Sequence, residues 1–320
     1  MLVRFWGTRG SLPVSMTASQ VRAKVVGAVS AANGRRFGSH SDVEKFVDDE
    51  LDFSISGTYG GCTSCIEIDK GDDEFLICDM GSGLRNFGLD SLRRKKSEKP
   101  SIYHIFMSHL HWDHIMGFPF FVPAFVPGNR INFYGGHATI EEALFRQQEK
   151  ISFPVPLEFM NADISYRTLE TGRRYELAGC AVELIKQRHD NDSYGFKFIK
   201  DNRKIIYTTD SEHKIEDEES NSEFAEFFSE ADLVIFDTMY SLADSITLKE
   251  DWGHSSGVMA VDLCHRAAVG KLAMFHHEPA YDDAMVQDQF KEVLQYEELT
   301  RGANKKLTVL CAYDGLEINV

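Results

Sequence analysis

Ser108-His109-Leu110-His111-Trp112-Asp113-His114 puts three imidazoles and a carboxylate within six residues. Neutral imidazole nitrogen and carboxylate oxygen are donors that zinc accepts readily. Side chains alternate along an extended segment, so His109 and His111 point the same way. A turn into a helix after them swings Asp113 and His114 to the other side of the same cavity. The result is two pairs of ligands, with room for two metals. An accidental cluster of histidines at a strand end is the alternative. Four ligand-type residues at His-x-His-x-Asp-His spacing argue for the metal instead.

The elements around the motif say how it is held. A short apolar run, Ile102 to Met107, reads as a buried strand that delivers it. Other ligand-type residues stand just after expected strands: His189 after 181–187, Asp210 after 204–208, Asp237 after 231–236 and His276 after 271–275. Strand ends in a layered α/β fold converge on one edge of the sheets, and that recurrence is stronger evidence than any single motif.

The remaining segments fill in the frame. Residues 2–6 form a first strand, and Gly7-Thr8-Arg9-Gly10-Ser11 is a tight turn whose backbone N–H groups could also cradle a phosphate. Residues 62–68 and 74–78 read as a hairpin across Gly71-Asp72-Asp73. Asp79, at its end, either orients a ligand histidine or caps the next helix. Further strands are expected at 131–134, 175–177, 196–200 and 307–311, and helices at 140–149 and from His254 to Ala268, the latter ended by Gly270. The basic run Arg93-Arg94-Lys95-Lys96, beside Glu98 and Lys99, reads as a solvated loop, as does acidic 215–221; residues 151–164 read as irregular. Phe118, Phe120, Phe121 and Phe125, stiffened by Pro119, Pro123 and Pro127, pack a core or wall a substrate pocket. Residues 15–56 change character, with helices expected at 20–32 and 42–51. They form a helical insertion, a surface flap or a lid, in one domain spanning 1–320.

Composition narrows the partners. The chain has 320 residues, 43% hydrophobic, enough for a large core. A formal charge of −16 disfavours an extended nucleic-acid surface, which needs clustered Lys and Arg. The first residues are too short and mixed for a signal peptide, and the apolar stretch 117–126 is broken by Pro119 and Pro123, so no membrane span is expected. Six Cys without a signal segment imply reduced thiols and a cytoplasmic protein. Cys62 and Cys65 form a C-x-x-C, but no second pair completes a zinc site, and the flanks read as a turn into a strand.

The order His109-x-His111-x-Asp113-His114, His189, Asp210, His276 resembles the ligand set of the metallo-β-lactamase superfamily. The resemblance covers nearly the whole chain outside the insertion and implies an αββα sandwich, two mixed β-sheets flanked by helices. It places His109, His111 and His189 on one metal, Asp113, His114 and His276 on the other, and Asp210 between them. His277 competes with His276; the pattern favours the first residue past the strand. Two Zn2+ per chain are implied, with manganese or iron as alternatives. Residues 231–238 followed by Gly253-His254-Ser255-Ser256 are similar to the tail of RNase Z-like phosphodiesterases, where an acidic residue partners a histidine opening the next helix. Here Asp237 stands where RNase Z has Glu. That branch implies a bridging hydroxide attacking a small or cyclic nucleotide-like phosphodiester, with catalytic roles for Asp113, His254 and Asp237. A tRNA 3′-end endonuclease and a thioester or lactone hydrolase are the alternatives. No long basic arm is evident between Arg130 and Tyr175. A homodimer is expected only by analogy.

Overall fold

The computed structural model describes residues 1–72, 74–95, 99–190, 192–241, 244 and 251–320. Asp73 of the expected turn and residues 96–98 of the expected basic loop lie outside these.

Two seven-stranded sheets form the frame. The first runs β14 (Glu317–Asn319), β1 (Leu2–Gly7), β2 (Cys65–Asp69), β3 (Glu74–Cys78), β4 (Ile102–Met107), β5 (Arg130–Gly135) and β6 (Asp163–Thr168). The second runs β13 (Thr308–Cys311), β12 (Lys271–Phe275), β11 (Leu233–Asp237), β10 (Arg203–Thr208), β9 (Ser193–Lys200), β8 (Cys180–Gln187) and β7 (Arg174–Leu177). Both are mixed. β3, β4, β5 and β6 are parallel, as are β10, β11, β12 and β13, while β1–β2–β3 and β7–β8–β9–β10 are antiparallel. Parallel strands are covered on both faces, which explains why β4 and β11 are almost wholly apolar.

The sheets pack face to face. Val3, Phe5, Ile66, Leu76 and Phe106 of the first sheet meet Val182, Phe196, Phe198, Tyr207 and Phe275 of the second. In β1 only alternate residues are buried, so Val3 and Phe5 point inward. Each fully buried Phe contributes ~2–3 kcal/mol. The outer face of the first sheet is covered by α4 (Leu84–Arg94) and the turns carrying Phe118 and Phe121. The outer face of the second is covered by α7 (Glu218–Phe228), α8 (Gly257–Arg266) and residues from α9 (Asp283–Thr300). The molecule therefore has the expected αββα architecture. No helix among the described residues is long and apolar enough to cross a membrane.

Residues 15–56, expected to be an insertion, contain α1 (Ala18–Ala31), α2 (His40–Asp49) and a single turn, α3 (Phe53–Ser56). This segment is anchored on α9. Lys24 Nζ lies 2.7 Å from Asp283 Oδ2, and Phe53 and Tyr59 pack with Val286 and Phe290.

Several expectations need correcting, and Arg93 and Arg94 of the expected basic loop form the last turn of α4. Residues 218–221 are not loop but the first turn of α7. The Asp217 side chain accepts from the Ser220 N–H, and Glu218 and Glu219 sit favourably at the positive end of the helix dipole. Residues 163–168 pair with β5 as an edge strand, and α9 was not anticipated. Of the phenylalanines, Phe118 and Phe121 are core, whereas Phe120 is exposed.

Candidate metal centre

The chain leaves β4 extended and becomes helical at α5 (Trp112–Ile115), with His111 as the residue before the first turn. Hydrogen bonds from His114 N to His111 O (3.0 Å) and from Met116 N to Trp112 O (2.8 Å) close that turn. The change of backbone sends His109 and His111 one way and Asp113 and His114 the other. His189, past β8, joins the first pair. Asp210, past β10, and His276, past β12, join the second. In each set, one ligand-type atom per residue lies within 4.8 Å of all the others.

Asp210 faces both sets. Its Oδ1 lies 3.2 Å from His114 Nε2 and 3.3 Å from His276 Nε2. Its Oδ2 lies 3.6 Å from His109 Nε2 and 3.8 Å from His189 Nε2. Asp113 Oδ2 is 3.1 Å from His114 Nε2 and 3.3 Å from His276 Nε2. His276 thus points into the cluster. His277 points away, with Nε2 2.8 Å from the Ala312 carbonyl, and burial and Arg9 push it down to about 3.

Asp79, Asp210 and His276 all follow strands with left-handed backbones, φ 60°, 51° and 62°. Asp and His tolerate this conformation better than most residues. The kink breaks strand alternation and aims each side chain into the cleft.

Surrounding groups fix the imidazoles. Asp79 Oδ2 accepts from His114 Nδ1 at 2.8 Å, and Asp79 also takes bonds from Ser108 N, Ser108 Oγ and the Tyr207 hydroxyl. Asp79 therefore orients a histidine; it does not cap α4, whose preceding residue is Gly83. His189 Nδ1 donates to the Gly253 carbonyl at 2.9 Å, leaving Nε2 for the cluster. Gly253 must be glycine there, because its φ is +80° and a Cβ would stand 2.3 Å from His189 Nδ1.

The glycine-rich turn of the first segment has a role that its composition did not reveal. Ser11 N–H donates to Asp113 Oδ2 at 2.8 Å, and a Cβ on Gly10 would meet the His276 ring at 2.6 Å. These backbone contributions leave no signature in side-chain patterns.

His254 and Asp237 adjoin the cluster. His254 Nδ1 is 2.8 Å from Asp237 Oδ2, and the carboxylate also accepts from Met239 N and Ser211 N. Burial opposes charge on His254, but Asp237 outweighs it and pushes the imidazole up to about 9. The shorter Asp reaches the ring without difficulty.

These residues fit a metal. His109 Nε2 and His114 Nε2 are buried without a hydrogen-bond partner, aimed at the centre of the cluster. Burial and His114 hold His109 well below its ordinary pKa, and burial and His189 lower His111, the neutral form that binds metal. Burial would raise Asp113 and Asp210, but the neighbouring imidazoles hold both well below the carboxylate range. Burial would lower His114, but Asp113, Asp210 and Asp79 raise it well above its ordinary range.

A family model described as a beta-lactamase superfamily domain matches residues 76–277. Ribonuclease Z of Thermoplasma acidophilum is 23% identical over 279 residues, covering 72% of this chain and 87% of that protein. The metallo-beta-lactamase fold protein YhfI from Bacillus subtilis superposes with a TM-score of 0.64 at 17% identity, covering 99% of this chain and 98% of that one. A diphosphatase of the PhnP family superposes at 0.59 and 16% identity, covering 100% and 97%. Since the family match takes in both the His-x-His-x-Asp-His motif and His276, and the two sheets have the same fold as these neighbours, the chain belongs to the metallo-β-lactamase superfamily, as an RNase Z-like, metal-dependent hydrolase.

Proposed function

We propose that the chain is a dinuclear metal phosphodiesterase acting on a small or cyclic nucleotide-like diester. The observation that carries this reading is the Asp210 carboxylate, with one oxygen turned to each of two ligand sets. In this proposal His109, His111 and His189 hold one metal, Asp113, His114 and His276 the other, and Asp210 joins them, zinc being the metal this donor set suits best. Bound metals supply the charge that lowers the pKa of water and polarises a phosphoryl oxygen. The chain supplies the rest. Asp113, held by Ser11 N–H, accepts a proton from the attacking water. His254, kept charged by Asp237, gives a proton to the leaving alkoxide or steadies charge on phosphorus. A thioester, whose thiolate leaves readily without a proton, has little need of that pair.

The RNase Z relatives support a second reading, endonucleolytic processing at a tRNA 3′ end. Against it, residues 136–162 fold as the short helix α6 (Ile140–Gln147) and turns, with no extended arm, and the formal charge is −16. The deciding experiment assays metal-loaded protein against bis-p-nitrophenyl phosphate, cyclic nucleotides, a thioester, a lactone and pre-tRNA. Turnover of the diesters is expected. Preference for the thioester or lactone would overturn the assignment, and salt-sensitive cleavage of pre-tRNA at its 3′ end would establish the second reading.

A further inference from the structure

Resting on the proposed assignment of Asp113 and His276 to one metal, we propose that Arg9 is a positioning residue for both of these ligands. The turn that carries Arg9 touches the pair twice. Ser11 N–H donates to Asp113 Oδ2 at 2.8 Å. Gly10 lies so close to His276 that a Cβ there would meet the ring at 2.6 Å. The turn is also laced to the segment that delivers His276. Gly10 N–H donates to the His277 carbonyl at 3.0 Å, and His277 N–H donates to the Thr8 carbonyl at 3.0 Å.

This arrangement has to be imposed from outside the turn. Ser11 and His276 both have left-handed backbones, φ 55° and 62°, a conformation that persists only where the surroundings over-determine it. Arg9 is placed to do so. Its side chain is buried, with the residue 2% exposed. Nε donates to the Gly60 carbonyl at 3.1 Å, and Nη1 donates to the carbonyls of Glu278 (3.1 Å) and Tyr281 (2.9 Å). Asp283 Oδ1, 3.7 Å from Nη2, faces its charge. Glu278 stands two residues past His276, and Ser11 two residues past Arg9. One guanidinium thus locks the backbone that grips Asp113 to the backbone that carries His276. A planar fork with donors in fixed directions suits that task, because its geometry is set before the bonds form.

Stepwise metal titration of the full chain tests the proposal, with Co2+ as the probe and its visible absorption as the signal. His276→Ala identifies the binding step that belongs to Asp113, His114 and His276. Arg9→Lys keeps the charge but replaces the fork with a single ammonium that does not span the same carbonyls. It should weaken that step about 10- to 100-fold, the usual cost of losing a group that orients a ligand, and leave the step of His109, His111 and His189 as in wild type. Arg9→Gln, without the charge, should weaken the same step further; where it does not fold, the Lys variant decides alone. Equal weakening of both steps, or of neither, would overturn the positioning role. If wild type binds fewer than two ions, the dinuclear reading fails on its own, and amide hydrogen exchange of the metal-free chain decides. Arg9→Lys should then speed exchange at Gly10 and Ser11 while β4 stays protected. Unchanged exchange at both amides, or equal loss of protection in β4, overturns the proposal.

Discussion

An imidazolium held by a carboxylate matters in proportion to how badly the leaving group needs a proton. His254→Ala should keep both metals and the fold while losing ~10²–10⁴-fold in turnover of alkyl and nucleoside diesters. The loss should be smaller with p-nitrophenolate, which leaves unprotonated. Asp237→Asn should act in the same direction but less, since it weakens the orientation and charge of the ring without removing it. Equal losses on good and poor leaving groups, read from a leaving-group series, would refute proton donation. Gly253→Ala tests a different residue-scale claim. Its Cβ would displace His189 Nδ1, and its φ of +80° is strained for Ala, so metal analysis should show the His109–His111–His189 side partly emptied while the other side stays filled. Retention of full metal content would show that His189 is not needed there.

Within single elements, packing and charge decide what moves. Glu297 in α9 accepts from Arg301 Nε and Nη2 and from Leu307 N–H, tying the helix to the strand after it. The Arg301 hydrogen bonds outweigh the opposing burial and hold its carboxyl down at about 2, against an ordinary 4.5. A depressed carboxylate contributes stability that is fully present above pH 4.5 and lost as pH falls from there toward 2. Glu297→Gln should therefore lower Tm at pH 6, with the gap to wild type narrowing as pH falls from 4.5 toward 2; a gap constant across that range would rule the linkage out. Deleting residues 18–52 tests the insertion. None of the proposed ligands lies there, so metal content should persist, but Lys24 would no longer reach Asp283. If folding and metal content collapse together, the insertion belongs to the core. The strands were legible because buried β4, β11 and β12 are apolar runs. α9 was not, because its inward face carries Gln287, Gln289 and Glu297 beside Val286 and Val293, which hides the helical period. β6 was missed because an edge strand exposed on alternate residues needs no apolar run. In the cluster, His and Asp side chains announce themselves by spacing. Ser11 N–H and the Gly253 carbonyl are backbone groups, which any sequence has at every position.

Across the whole molecule, the candidate metal site is a seam between the two sheets. The motif after β4 contributes from one, and His189, Asp210 and His276 from the other. Metal loading should therefore raise Tm, by on the order of 5–10 °C when free metal exceeds Kd about 1,000-fold. His109→Ala and His114→Ala should each mainly empty a different site in metal analysis. A stoichiometry of one or less in fully loaded wild type would defeat the dinuclear proposal. The left-handed backbones at Asp79, Asp210 and His276 bear on how such a protein can change over generations. Asn tolerates that conformation as Asp does, so drift from Asp to Asn at 79 and 210 would remove charge without bending the chain. A lineage can take that route to an inert relative that keeps its shape, and a descendant with Asn at both positions would still carry the five histidines of the cluster around three kinked residues.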